Sequence, residues 1–405
     1  NGLEVERIHA DLTPGQIGGS ANLTLASPLK EAAATCFMGA SKKAPFDIEG
    51  EIARDWLQKP NPHGKSNALV LRPLCNGIDL TRRWGDRWIV DFGTAMEEQD
   101  AMLFEAPYAY SMRAVKPLRE KNNREAYRKF WWRHAEARPG MRAALDDLPR
   151  YIITAAVAKH RTFAWMHSAV LPDQATLATA RADDTTFGIL HSRFHEIWSL
   201  RMGTSLEDRP RYTPTPCFAT FPFPAGITPQ DTAHQRTESI EGGALIPAGL
   251  DSAISKQKVP LAGIEPAQSA MKNIVSSAPL RELAASIARA AQRLNALREN
   301  WLNPPEWTQR LPEVTPLGMD TSPYPERILP RNNLSEQDLK ELSKRTLTNL
   351  YNQKAAGQVQ WLQSAHEQLD QAVAAAYGWS DYSPAMPDEE ILKRLLALNL
   401  ERAAA

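Results

Sequence analysis

Residues 280–302 read LRELAASIARAAQRLNALRENWL, and this stretch decides the fold of the C-terminal third of the chain. Its apolar side chains recur every three or four residues, at Leu280, Leu283, Ile287, Ala290, Leu294, Leu297 and Trp301. That spacing places them along one stripe of an α-helix, which needs other elements to pack against. The same spacing predicts further helices at about 335–351, 359–377 and 388–402. We therefore expect residues 279–405 to form an all-helical domain.

The region before this helix mixes strand-like runs with helices, so we predict an α+β fold, with a mixed α/β domain over residues 1–226. Asp183 and Asp184 are candidate N-caps of a helix that ends near Gly203. Residues 227–278 are rich in Gly, Pro, Ser and Gln, and we interpret them as a connection or insertion. The strand-like runs span 67–72, 88–92, 151–154 and 162–165.

Length and composition exclude several classes of protein. A chain of 405 residues is long enough for two or three domains. Its longest apolar runs are shorter than the roughly 18–20 residues that span a bilayer, so we expect no membrane contact. The three cysteines are far apart and form no CxxC pair, which argues against a disulfide framework or structural zinc and favours the cytoplasm.

The balance of 47 basic and 47 acidic residues hides an uneven distribution. Residues 113–161 hold 13 basic and five acidic side chains, a net charge of +8, with aromatic residues between them. Lys and Arg in such a segment can neutralise DNA phosphates and release counterions. A solvated helix face has the same composition, and composition alone leaves both interpretations open.

The segment Glu207-Asp-Arg-Pro-Arg211 suggests a more specific role. Arg can donate two hydrogen bonds to guanine O6 and N7, and Glu can accept one from cytosine N4. Alternate side chains of an extended segment point the same way, so Glu207, Arg209 and Arg211 are expected to project together. The alternative is a surface loop of salt bridges.

Several short motifs suggest chemistry that their surroundings do not support. Asn303-Pro-Pro-Glu306 resembles the loop of amino-methylating DNA methyltransferases, but its fourth residue is Glu and it follows a helix, so we interpret it as a helix stop. His191 and His195 have metal-ligand spacing without an evident third ligand, and we favour a polar or DNA-facing helix surface. We predict no catalytic residue and no metal site in this chain.

Two long stretches together carry a family resemblance. Residues 191–224, which include His191-Ser-Arg-Phe-His195 and Phe221-Pro-Phe-Pro224, resemble the specificity region of MmeI-like (type IIL) restriction–modification enzymes. Residues 124–165, with Tyr127-Arg-Lys-Phe-Trp-Trp-Arg133, resemble the same region, and Trp301-Leu-Asn-Pro-Pro-Glu-Trp307 is similar to part of the family's helical tail. The resemblance covers most of the chain except about 226–279.

The resemblance implies a function and a set of partners. Enzymes of this family join a nuclease, an S-adenosylmethionine-dependent adenine-N6 methyltransferase, a target recognition domain and a helical tail in one polypeptide. This chain resembles the last two parts. It implies sequence-specific recognition of double-stranded DNA for a methyltransferase of a restriction–modification or phage-defence system. We expect methyltransferase and nuclease domains upstream in a parent chain, with S-adenosylmethionine bound there and no cofactor in this chain.

The resemblance also assigns roles to individual residues. It implies that Glu207, Arg209 and Arg211 read base edges, and that a second reading position lies at Gln174 and Ala175. The residues expected to contact the DNA backbone are Lys159, His160, Arg161, Arg193, Arg124 and Arg128. The alternative function is a non-catalytic protein-interaction scaffold with an incidental basic patch, and a third interpretation, an independent enzyme, needs a site that the sequence does not offer.

Overall fold

The structure is a computed structural model that describes residues 7–8, 14–15, 21–206, 209–250 and 279–405. Short strands and helices intermingle before residue 250, and helices dominate after residue 279. The predicted α+β fold class is therefore confirmed. In the part of the chain that the structure describes, every helix is too short or too polar to cross a membrane.

The strands are short, and most occur before residue 250. They are β1 (Arg7–Ile8), β2 (Pro14–Gly15), β3 (Cys36–Met38), β4 (Asp47–Glu49), β5 (Leu71–Cys75), β6 (Arg87–Val90), β7 (Arg150–Ala155), β8 (Ala164–His167), β9 (Leu171–Pro172), β10 (Thr176–Thr179), β11 (Thr204–Leu206), β12 (Arg209–Arg211), β13 (Thr237–Ser239), β14 (Leu245–Pro247), β15 (Thr308–Leu311) and β16 (Arg327–Pro330).

The helices lengthen toward the C-terminus. They are α1 (Gly50–Leu57), α2 (Gly77–Thr81), α3 (Glu98–Ala101), α4 (Glu105–Ala114), α5 (Lys116–Glu120), α6 (Glu125–Lys129), α7 (Pro139–Leu145), α8 (Asp184–His191), α9 (Arg193–Met202), α10 (Leu280–Leu302), α11 (Glu336–Lys344), α12 (Leu347–Ala355), α13 (Gln360–Ala376) and α14 (Asp388–Ala404).

Two four-stranded sheets form the centre of the α+β region. One has the order β3-β10-β7-β8 and is antiparallel throughout. The other has the order β4-β6-β5-β9, in which β5 and β9 run parallel. A buried core joins these sheets to α1 and α7. The strand predicted at 67–72 is half right, because residues 67–69 form a 3-10 turn before β5 begins.

A second core joins residues 21–250 to the C-terminal helices. Helix α8 packs against α10 and α13. Gly188 makes this approach possible, because a Cβ atom there would lie 2.6 Å from the Ile287 Cγ2 atom. The predicted boundaries at 226 and 279 therefore separate residues that share one core, and the division into domains stays a prediction.

The helices predicted at 280–302, 359–377 and 388–402 are confirmed, whereas the helix predicted at 335–351 is two helices, α11 and α12. Helix α10 spans the predicted residues and ends at Asn303, which confirms the helix-stop interpretation of that motif. A two-stranded hairpin, β15–β16, interrupts the helices that follow. Within the predicted connection, β13 and β14 form another hairpin, and β14 packs against α8 and α10.

Candidate nucleic-acid interface

The segment that follows strand β7 contacts both predicted reading positions just beyond the end of that strand. The Ala156 N–H donates to the Ala175 carbonyl (2.8 Å), and the Ala156 carbonyl accepts from the Tyr212 N–H (2.8 Å). Val157 also bridges to Arg211 in antiparallel register. The turn at 174–175 and the strand β12 therefore lie on opposite sides of the same backbone segment, as neighbouring strands do.

The turn at 174–175 is fixed by several contacts. The Asp173 side chain accepts from the Ala175 N–H (2.9 Å), and its carbonyl accepts from the Thr176 N–H (2.9 Å). Gly39 allows close approach, because a Cβ there would lie 2.2 Å from the Asp173 carbonyl oxygen. Gln174 is exposed, and its amide oxygen accepts from the Ser41 hydroxyl (2.7 Å). The Gln174 side chain is thus oriented before any ligand arrives.

The strands β11 and β12 form an antiparallel hairpin, so the expectation of an extended segment is confirmed for residues 209–211. Arg209 and Arg211 are exposed, and Pro210 between them is half-buried. Alternate residues of a strand share one face, so the two arginines project together. Glu207, the third predicted reader of this segment, lies outside the described residues.

Buried side chains support the hairpin from beneath. The Arg161 guanidinium donates to the Ala155 carbonyl (2.6 Å) and the Pro210 carbonyl (3.2 Å) and lies 4.8 Å from the Tyr212 ring. The Tyr212 hydroxyl meets His195 Nε2 at 3.1 Å. Since His195 Nδ1 faces the Leu190 carbonyl, which only accepts, Nε2 is the acceptor for Tyr212. These contacts hold Pro210, and with it the strand that carries the two exposed arginines.

This arrangement corrects the prediction of a polar or DNA-facing surface at His191 and His195. Both histidines are buried, at 3% and 0% exposure, in the core between α8, α9 and the C-terminal helices. Burial lowers the pKa of His195 to about 3, so the ring is neutral. Among the described residues, no group of three or more His, Cys, Asp or Glu side chains is placed to hold a metal ion.

Two of the arginines assigned to the DNA backbone make contacts inside the protein. Arg161 is 4% exposed, and its donors are directed to main-chain carbonyls rather than to solvent. Arg193 begins α9 and donates to the Met386 carbonyl (2.7 Å) and to Asp388 (2.6 Å), which docks α14. Because Arg161 is buried, we replace its assignment with a structural role, whereas the assignment of Arg193, whose side chain is 24% exposed, stays a prediction.

Lys159 and His160 lie next to the hairpin and reach the helical region. Both donate to the Oδ1 atom of Asn352 on α12, at 2.8 Å from Lys159 Nζ and 2.9 Å from His160 Nε2. Lys159 is exposed, and the neighbouring Ala158 N–H donates to the Pro210 carbonyl (3.4 Å). Their assignment to the DNA backbone stays a prediction, and Lys159 has the exposure that it needs.

Many of the basic residues that give segment 113–161 its charge are engaged within the protein. Arg119 is buried and donates to main-chain carbonyls. Arg142 makes two hydrogen bonds to one buried carboxylate, and Arg150 makes one hydrogen bond to a different buried carboxylate. Arg124 and Arg128 remain exposed on α6, and their role as backbone contacts stays a prediction.

The comparisons with known proteins point to the same region of the chain. Residues 66–225 match the family model described as the target recognition domain of MmeI. This range holds the turn at 174–175 and the hairpin at 209–211, and it confirms the family resemblance there.

A solved structure of the enzyme MmeI is also similar to the structure of this chain. The solved structure of the type IIL restriction–modification enzyme MmeI in complex with DNA has a TM-score of 0.57 with this chain at 14% sequence identity. The match covers all of this chain and 40% of that enzyme, so this chain spans less than half of its length. At this identity the match shows a shared fold. No curated protein matches the sequence.

Sequence reasoning missed two residues that organise the surface. Ser41 orients Gln174 from 133 positions away in the chain. Asn352 gathers Lys159 and His160 from 193 and 192 positions away. Neither residue belongs to a motif, and only the fold brings them to these partners.

Proposed function

We propose that this chain recognises a specific sequence of double-stranded DNA. The observation that carries the proposal is that the segment 156–158 bonds to the turn at 174–175 on one side and to residues 210–212, at the end of β12, on the other. Two strand spacings separate these segments by about 10 Å. The major groove of DNA is about 12 Å wide, so side chains from both segments can reach base edges in one groove.

The chemistry of the exposed residues fits base edges. Arg209 and Arg211 carry donor forks that match guanine O6 and N7, and Gln174 has the donor and acceptor that adenine N6 and N7 require. Ala175 offers a small apolar contact for a thymine methyl group. Glu207 completes the set if its carboxylate accepts from cytosine N4. Lys159 lies beside them as a phosphate contact that fixes position without reading sequence.

We further propose that the chain is the specificity portion of an S-adenosylmethionine-dependent adenine-N6 DNA methyltransferase in a cytoplasmic restriction–modification or phage-defence system. The support is the family match over residues 66–225 and the similarity to an enzyme more than twice as long. In this proposal a methyltransferase domain of the parent chain binds S-adenosylmethionine and flips the adenine, while this chain holds the duplex. A nuclease domain is a further partner.

Selection from a pool of random duplexes tests DNA recognition directly. We expect the 405-residue chain to enrich one short sequence and to bind it with an affinity that falls as salt rises. A pool without enriched bases contradicts sequence-specific recognition. Absent binding at low salt, or binding without salt dependence, favours the protein-interaction scaffold.

The methyltransferase assignment has its own experiment. We expect calorimetry to show no binding of S-adenosylmethionine to this chain alone. The full parent chain should transfer a methyl group to adenine N6 in the selected duplex. Transfer to cytosine, or cofactor binding by this chain alone, contradicts the proposed division of labour.

A further inference from the structure

A groove of about 430 Å³ lies on the helical region next to Lys159. Its walls come from the end of α10, the loop that follows it, and helices α11 and α12. Most of its polar side chains are cations or amides. They are Lys344, Arg345, Asn349, Asn352 and Gln353, and Glu341 is the one acid among the described lining residues.

A fixed cation forms one wall of this groove. The Arg345 guanidinium carbon lies 5.3 Å from the centroid of the Trp301 ring and 4.7 Å from that of the Trp307 ring. It also donates to the Trp301 carbonyl (2.8 Å). Guanidinium groups that stack on aromatic rings keep their charge, and few rotamers remain open to them. The cation therefore stays in place whether or not a ligand is present.

The second cation is exposed. Lys344 pairs with Glu341 one turn earlier on α11 at 2.6 Å, and about half of each side chain is exposed. An exposed pair of this kind contributes less than about 1 kcal/mol to stability, so Lys344 is available to a stronger anionic partner. The groove thus combines a rigid and an adjustable positive charge.

The groove is continuous with the proposed DNA surface. Asn352 forms part of its lining and accepts hydrogen bonds from Lys159 and His160. The next residue back along that segment, Ala158, bonds to Pro210 in the hairpin. The groove and the exposed arginines of β12 are therefore linked by one short run of residues, 157–160.

We propose that this groove binds the sugar–phosphate backbone of the same duplex whose bases face the hairpin. Cationic and amide N–H groups are the donors that phosphate oxygens accept, and such contacts fix register without reading sequence. The inference deepens the proposed function and rests on it. It gives the helical region a direct share in DNA binding, in addition to its packing against α8.

The test compares two lysines with matched surroundings in the 405-residue chain. Lys344→Gln removes the exposed cation of the groove. Lys59→Gln is the control, because Lys59 forms an equally exposed ion pair with Asp55 at 2.5 Å, just after α1. Thermal unfolding of both variants verifies that each is folded. Binding is then measured on the selected duplex and on a random duplex between 50 and 200 mM salt.

We expect Lys344→Gln to lower the slope of log affinity against log salt by about 0.9, the value for one phosphate contact. The ratio of affinities at 50 and 200 mM salt then shrinks by about threefold for both duplexes. Lys59→Gln should leave the slope unchanged. Glu341→Gln should tighten binding, since it removes the acid of the groove and releases Lys344.

Three results overturn the proposal. If Lys344→Gln and the wild type have equal slopes of log affinity against log salt, the groove does not contact DNA. If Lys344→Gln and Lys59→Gln change the slope equally, the effect comes from the net charge of the chain and not from the groove. If the wild-type chain binds no DNA, the proposed function itself is wrong. This outcome is distinct because it appears before any variant is made.

Discussion

The arginines of segment 113–161 and those of strand β12 differ in how exposed their side chains are. Arg119, Arg142 and Arg161 donate to carbonyls or a carboxylate inside the protein, whereas Arg209 and Arg211 stand exposed on one face of a hairpin. A guanidinium group that is enclosed by the protein offers little to a phosphate or a base. Charge counted along a sequence is therefore a poor measure of the charge that a ligand meets.

The largest expected effect comes from a substitution of Arg142, one of the arginines that bond inside the protein. This residue makes two hydrogen bonds, at 2.8 and 3.0 Å, to the carboxylate of Asp91, whose side chain is 2% exposed. Arg142→Ala leaves that buried charge without its main partner, which costs about 3–5 kcal/mol. Chemical denaturation measures the loss, and a variant within about 1 kcal/mol of the wild type contradicts the structural role.

The pH dependence of the same pair provides a control. Burial acts to raise the pKa of Asp91, but His134 and Arg142 outweigh it and hold the pKa below its ordinary value. Below a pH of about 4 the unfolded carboxyl takes up a proton first, so the pair's contribution to stability falls with pH. The difference in stability between the wild type and Arg142→Ala should shrink over that range.

The second prediction concerns Arg161, which supports the hairpin. Arg161→Ala removes the side-chain donor of the buried Ala155 carbonyl, at a cost of about 1–3 kcal/mol, whereas the half-buried Pro210 carbonyl keeps its bond from the Ala158 N–H. We expect lower stability together with weaker discrimination among bases, because the hairpin loses its support. Affinity for random duplexes and its salt dependence should persist, since no phosphate contact is lost.

Arg161→Lys separates the two possible roles of this side chain. A lysine keeps the charge but lacks the planar fork that reaches two carbonyls. If Arg161 positions the hairpin, the lysine variant should lose base discrimination almost as alanine does. If instead the lysine variant binds DNA as the wild type does, and only the alanine variant has a lower salt slope, Arg161 contacts the DNA backbone.

The sequence predicted regular elements well and side-chain roles poorly. The stripe at 280–302 predicts α10 to the residue, because one apolar face of a long helix needs only local spacing. His191 and His195 have an equally regular spacing, yet both are buried. His191 lies against α10 and α13, and His195 lies against aromatic rings of the recognition-domain core. Which face is covered depends on contacts far apart in the chain. The same limit applies to Arg193, which pairs with Asp388 across 195 positions.

The third prediction concerns Arg209, one of the two exposed arginines of strand β12. Arg209→Ala should change stability by no more than about 0.5 kcal/mol, since the residue is exposed. It should relax the preference at one base position of the selected sequence by about 1–3 kcal/mol. Arg310→Ala is the matched control, because Arg310 is an exposed arginine on the other hairpin, β15–β16. Equal weakening of all duplexes by Arg209→Ala excludes base reading.

The smallest expected effect distinguishes charge from packing at Lys159 and His160, which share the acceptor Asn352. Lys159→Ala removes an exposed cation, so the slope of log affinity against log salt should fall by about 0.9, with base preference unchanged. His160 carries no such charge, because burial lowers the pKa of its ring. His160→Ala should therefore leave the slope as it is. If His160→Ala lowers the slope as much as Lys159→Ala does, the effect comes from their shared attachment to Asn352, and Lys159 joins the arginines that serve the fold.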